Sequence, residues 1–331
     1  MKVRLSLLVF LTFAIASPAS NQLPYPPETK NAALRYWIAF AEMQDVSADK
    51  TNQQLLEKTL SGETAWDEKK LAPILDANKF PIEIMQRATK LPDCDWGAEY
   101  SQGIRASIAY APRARALSRL NTLEGMRQLA AGDTQSAVNS WLAGARFSQD
   151  LARGGSLIFT LMAKNALLPN LRALTEAASN GKLTAAQQQQ ISSAIRALPE
   201  DAFDWSAAWG IEYATLDHFL RDVQTASDPR ATYQEAMGGD ATTQKGLPPS
   251  DQDIHNFESY MHDVQLALRQ PPDRAKTTLD GLDAKRSVLP DADLGLIPNP
   301  QKSNQARIDI AHARSELLQA LAKSAAKSNG D

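Results

Sequence analysis

The stretch GMRQLAAGDTQSAVNSWLAG, residues 125–144, decides the fold. Gly132 followed by Asp133 reads as a helix stop and a helix start. Glycine adopts the left-handed backbone that ends a helix, and an aspartate side chain accepts from the free N–H groups of the next first turn. Ala137, Trp141 and Gly144 follow at four- and three-residue steps, which places them on one face of the second helix. Gly125 lies seven residues before Gly132, where the first helix needs room for its partner. The pattern is an antiparallel helical hairpin.

Over roughly Ser118 to Leu151 the chain resembles a tetratricopeptide repeat. Gly125, Gly132, Ala137, Trp141 and Gly144 match the repeat, whereas Asn121 stands where an aromatic is usual and Gln128 where tyrosine is. One such repeat implies a helical hairpin architecture and not a peptide-binding array. Two earlier segments, NAALRYW at 31–37 and DCDWG at 93–97, resemble elements of a family of exported helical proteins of bacteria. The combined resemblance covers about residues 30 to 155. It implies no activity and carries over no site residues.

Helical spacing extends through the rest of the chain. The apolar positions predict helices over 31–43, 65–77, 81–89, 104–131 with a break before Pro112, and 156–178 with a kink at Pro169. Others follow over 184–198 with Thr184 as the cap, 205–226, 251–268 and 303–323. Ala33, Trp37, Phe40 and Ala41 are expected on the buried face of the first helix. Trp205, Trp209, Leu216, Phe219 and Val223 form one stripe, and Ile254, Phe257, Met261, Val264 and Leu268 another. No stretch alternates as a strand does. The expected fold is all-α, with antiparallel hairpins stacked into a solenoid-like, TPR-like arc. Its parts are a signal peptide at 1–19, an N-terminal helical segment at 20–104, the hairpin region at 105–200 and a C-terminal helical region at 201–331. Polar, Gly/Pro-rich stretches at 238–250 and 290–304 are expected to be mobile loops.

Lys2 and Arg4 precede an uncharged apolar run from Leu5 to Ala16, followed by small residues at Ala14, Ala16 and Ala19. That is the layout of a secretory signal peptide cleaved near Ala16 or Ala19, and it implies a periplasmic or secreted protein. The run is shorter than the roughly 20 apolar residues that a membrane span needs, and no later segment is apolar enough, so the mature chain is expected to have no transmembrane segment. Without Lys2 and Arg4, 33 basic side chains face 38 acidic ones, a formal charge of −5. That balance gives no reason to expect nucleic acid as a partner. Cys94 is the single cysteine, so no internal disulfide can form even in an oxidising compartment.

Candidate chemistry is sparse, and no nucleophile elbow, zincin helix, phosphate loop or dinucleotide fingerprint occurs in the sequence. No cofactor and no metal site is expected. Cys94 lies between Asp93 and Asp95, whose charges disfavour a thiolate, and a turn packed by Trp96 is the plainer reading. His255, Glu258 and His262 share one helix face at a spacing that metal sites use, but they flank an apolar seam where polar residues meet water. Asp291, Asp293 and Gly295 are similar to a calcium loop, with the glycine one residue early and the closing glutamate missing. Glu212 falls inside the apolar stripe of its helix, where a carboxylate must pair, gain a raised pKa or face a cavity; a buried Glu–Arg pair is the structural reading.

Between Ile104 and Arg153 stand seven arginines and no lysine, opposed by Glu124, Asp133 and Asp150, a local charge of +4. Guanidinium groups suit bidentate pairing with carboxylate or phosphate. Arg115 and Arg119, one turn apart, and Arg153, which leads through Gly154 and Gly155 into a helix N-terminus, are the candidate binding residues. The structural alternative is that the arginines pair with carboxylates of the acidic C-terminal half. The functional expectation is a non-catalytic helical-repeat protein, an interaction or scaffold module of the cell envelope with an acidic protein or peptide partner. The alternative is a hydrolase or other enzyme using Glu212, His255 and His262 in an inter-helix cleft, which requires those residues and His218 to surround one deep pocket. The export reading predicts that N-terminal sequencing of secreted material begins near Ser17 or Ser20; intact Met1 in a membrane pellet would contradict it.

Overall fold

In the computed structural model, Gly132 has φ of +86° and closes α5 (Ala111–Ala130). The Asp133 carboxylate accepts from the Ser136 N–H at 3.0 Å and opens α6 (Thr134–Ala152). The structure describes residues 28–44, 50–106, 108–237, 247–286, 289 and 297–328. The signal segment at 1–19, positions 238–246 and 290–296 of the two expected loops, and the calcium-like stretch at Asp291–Gly295 lie outside the described residues. The later expected loop also ends sooner than read, because the last helix begins at Pro300.

The described residues are all-α apart from one isolated bridge between Asn31 and Asp93. Before the hairpin come α1 (Ala32–Glu42), α2 (Lys50–Leu60), α3 (Glu68–Ala77), α4 (Lys79–Ala88) and a 3₁₀ turn at Tyr100–Arg105. After it come α7 (Leu157–Ser179), α8 (Ala185–Arg196), α9 (Trp205–Thr225), α10 (Pro229–Met237), α11 (Asp251–Ala267), α12 (Pro272–Gly281), α13 (Asp283–Arg286) and α14 (Pro300–Ser328). The expected break before Pro112 is present, and Thr184 caps α8 through a reciprocal bond with Gln187. Among the described residues no helix is long and apolar enough to cross a membrane. The α2, α10, α12 and α13 helices were not expected; their apolar residues are too few to give a strong period.

Helices α5, α6 and α7 each pack on the other two, and α14 packs along α7. Their approach is close because glycine lines it. A Cβ on Gly125 would sit 2.3 Å from Trp141 Nε1, and one on Gly144 would sit 2.5 Å from Asn170 Oδ1. Buried polar side chains complete the seam. Trp141 donates to the Thr122 carbonyl at 3.1 Å, and Thr122 Oγ1 donates to Asn170 Oδ1 at 3.2 Å. The two departures from the repeat pattern converge on one residue: Asn121 donates to the Ser140 carbonyl at 2.8 Å, and the Ser140 hydroxyl donates to Gln128 at 2.8 Å.

The first helix buries a slightly different stripe from the one expected. Ala32, Ala33, Tyr36, Ala39 and Phe40 are inside, whereas Trp37 is 42% exposed and Ala41 is on the surface. Tyr36 takes the inward position because its hydroxyl donates to Asp150 at 2.7 Å. The 31–37 and 93–97 segments meet directly, with Asn31 donating to the Asp95 carbonyl and Ala32 N–H to the Asp93 carbonyl. A column of rings, Trp96 on Tyr110 at 4.4 Å and Tyr110 on Phe159 at 4.9 Å, ties this corner to α5 and α7. At the other end, the buried Arg307 of α14 pairs with Asp201 at 2.7 Å and donates to the Gln270 carbonyl at 2.6 Å. The stripes on α9 and α11 are buried as expected. One continuous apolar cluster reaches from Ala32 to Leu321.

The close approach makes a direct prediction. Gly125→Leu forces bulk against Trp141 and should lower stability by about 1–3 kcal/mol, read as a shift of the denaturant midpoint; an unchanged midpoint would show that the two helices do not meet there.

Candidate functional site

Of the sites that the sequence singles out, Arg115 and Arg119 form a feature open to a ligand. Both project from the first turns of α5 into a trough with α2 on one side and α7 on the other. Two adjoining cavities of about 410 and 430 Å³ share Glu57, Arg115, Arg119 and Met162 as lining. The α7 wall runs from Ile158 through Met162 and Pro169 to Arg172, about 21 Å at 1.5 Å per residue. Leu56 and Leu60 of α2 supply apolar surface opposite. Ile158, 42% exposed, leaves an aliphatic group at the rim.

Charge in the trough is unbalanced. Arg119 pairs with Glu57 at 3.0 Å, and its pKa is held below the usual guanidinium value by burial and by the neighbouring Arg115, with Glu57 acting in the opposite sense. Arg115 is exposed, and among the described residues no carboxylate lies within ion-pair distance of it. Arg172 donates to the Ser61 carbonyl at 3.1 Å and so bridges the α7 and α2 walls. Among the described residues the lining therefore holds three guanidinium groups and one carboxylate. Pro169 has no N–H to give to the carbonyl four residues earlier, so Asn165, which also lines the trough, keeps a carbonyl without its usual helical donor.

Arg153 is not part of this trough. It caps the end of α6, donates to the Pro92 carbonyl at 3.2 Å and lies 3.9 Å from Asp150. At the N-terminus of α7 the Leu157 N–H favours the charged form of Glu212, the sense in which a helix start acts on an anion. The other arginines do not chiefly pair with the C-terminal half. Arg127 pairs with Glu68 and Asp76, Arg119 with Glu57, and Arg146 with Asp150. Only the Arg105–Glu235 pair follows the expected direction among the described residues.

The candidate catalytic residues do not converge. Glu212 is directed at the start of α7, where burial raises its pKa and the Leu157 N–H opposes the rise. Among the described residues no arginine pairs with Glu212; the buried ion pair in the C-terminal half is Asp201–Arg307 instead. His255 is 73% exposed beside Glu258, whose carboxylate bonds Arg221. His262 is on the surface of the same helix, and His218 faces Asp222 and the Gly103 turn. Among the described residues no group of three or more His, Cys, Asp or Glu side chains is arranged to hold a metal ion.

Asp150 is the buried charge that the sequence does not flag. It is fully enclosed, with the Tyr36 hydroxyl on one oxygen and Arg146 3.3 Å from the other. Its main-chain carbonyl accepts from Trp96 Nε1 at 2.7 Å and from the Cys94 thiol at 3.7 Å. Burial raises the Asp150 pKa, against the Tyr36 hydrogen bond and the two arginines. An arginine four residues before it, in a hairpin with few acids, is the signal the sequence offers. Glu57 has no place in the sequence reading because the α2 stripe is too narrow to mark a helix, and Arg172 and Met162 of α7 gain a role only from the α2 wall opposite them. Compared with protein-family models, with curated proteins and with solved structures, the chain matches none.

The thiol environment gives a pH prediction. Burial first, and Asp150 second, push the Cys94 pKa up to about 12; the adjacent Asp93 and Asp95 are not the cause. The folded chain holds this proton to higher pH than the unfolded chain. The thiol's stabilising contribution is therefore complete below about pH 8.5 and is lost as pH rises from there towards 12. At pH 8, iodoacetamide should label Cys94 at least about 100-fold more slowly in the folded protein than in denaturant; equal labelling rates would contradict the raised pKa of this half-buried thiol.

Proposed function

We propose that the protein is a non-catalytic interaction module of the cell envelope, exported by its N-terminal segment, which binds an acidic segment of a protein partner in the α2–α5–α7 trough. In this reading the α5–α6 pair is a TPR-like hairpin in a solenoid-like arc, and α7 is the helix that follows it. The observation that carries the proposal is the charge in the trough: three guanidinium groups and one carboxylate beside an aliphatic wall. A partner carboxylate answers the excess, and apolar partner side chains can rest on Ile158 and Met162. Arginine serves this role well because its planar fork pairs carboxylates bidentately and is weakly hydrated. No cofactor, metal or nucleic acid enters the reading.

Capture from an envelope fraction, compared between the natural protein and the Arg115→Gln/Arg119→Gln double variant, tests it. Partners retained by the natural protein should be lost from the double variant and released by raised salt, because charges in a solvent-open trough are screened over about 8 Å at physiological ionic strength. The double variant should lose less than about 1 kcal/mol of stability, since only one half-exposed ion pair is removed. An identical set of captured proteins from both would sink the proposal, as would a double variant that unfolds.

A further inference from the structure

We infer that Glu57 is an internal stand-in for the partner's carboxylate, so that binding proceeds by exchanging the Glu57–Arg119 ion pair for one between the partner and both Arg115 and Arg119. The inference rests on the trough being the binding site and adds which internal contact a partner carboxylate displaces there.

The argument starts from spacing. Arg115 and Arg119 are one turn apart on α5, close enough that each charge disfavours the other, and Arg119 shows that repulsion. Among the described residues Glu57 is the single carboxylate lining the two cavities. It reaches Arg119 at 3.0 Å and stays 54% exposed. A half-exposed ion pair is weak enough to be exchanged, unlike the fully enclosed Asp150 with its hydroxyl donor. The geometry thus leaves one guanidinium satisfied and the other, Arg115, waiting beside it. A carboxylate seated between the two would satisfy both, and Glu57 would turn to water.

Position also matters. Glu57 belongs to α2, whose end is tied across the trough by Arg172 on the Ser61 carbonyl. Displacing Glu57 removes its tie to Arg119 and leaves the Arg172–Ser61 tie in place. The wall can then yield locally without leaving the body. The ligand chemistry this selects is an acidic peptide segment with aliphatic neighbours, since the carboxylate must lie within reach of Ile158 and Met162.

The test uses the full chain and a fluorescein-labelled peptide of sequence Leu-Glu-Ile-Glu-Leu-Glu, followed by anisotropy over a salt series. Glu57→Gln should bind the peptide about two- to fivefold more tightly than the natural protein, the scale of one exposed ion pair. Its affinity should also fall more steeply with salt, because the trough then carries one more uncompensated positive charge. Glu57→Asp, which keeps the charge, should stay near the natural affinity, and Arg115→Gln should abolish binding in every background. If Glu57→Gln binds equally or more weakly while Arg115→Gln still abolishes binding, the trough is the site but the stand-in role is overturned. If neither the natural protein nor Glu57→Gln binds the peptide, the trough reading falls and this inference falls with it.

Discussion

Everything in the molecule is referred to the distance between α5, α6 and α7. Two glycines set it: Gly125 under Trp141 and Gly144 against Asn170, each with no space for even a methyl group. With the backbones that close, side chains as small as Ser140 and Thr122 reach polar groups on the neighbouring helix, and the buried seam is hydrogen-bonded rather than purely apolar. Buried polar groups must be paired to be tolerated, so this seam also fixes register. A sliding of one helix by a turn would strand Asn121, Ser140 and Asn170 together. The trough inherits that rigidity, because its floor is the outer face of α5 and its long wall is the outer face of α7.

The parts of the fold that the sequence discloses are those in which one residue type does a job few others can do. Gly132 at positive φ, Asp133 and Thr184 as caps, and the α9 and α11 stripes are all of that kind. The misread parts are those where two elements decide jointly. On α1, helical spacing alone cannot choose between Tyr36 and Trp37; the hydroxyl partner on Asp150, more than a hundred residues away, makes the choice. The α2 helix, with three leucines among polar residues in Lys50–Leu60, has too narrow a stripe to stand out, and with it Glu57 went unseen. Glu212 stands in the apolar stripe of α9, where burial raises its pKa and the Leu157 N–H opposes the rise, an influence that no pairing of charged side chains can reveal.

Arginine use in the hairpin has two distinct purposes. Arg127, Arg146 and Arg113 hold neighbouring segments: the first by two carboxylates of α3, the second on Asp150, the third on the Met43 carbonyl. Arg115 and Arg119 face the trough, where among the described residues the one lining carboxylate, Glu57 of α2, pairs with Arg119 alone. The local excess of positive charge that the sequence shows is thus mostly consumed by the N-terminal helices, and what is left over is concentrated in one place. The exposed histidines of α11 and the half-buried Glu212 of α9 lie on different elements.

The most direct measurement of the central claim is site-specific photo-crosslinking with the labelled acidic peptide. A benzophenone side chain placed at Ile158, on the trough rim, is compared with one at Leu266 on α11, which is equally exposed at 42%. The account predicts a salt-sensitive adduct at position 158 and none at 266. Adducts of equal yield at both positions, or at 266 alone, would contradict it.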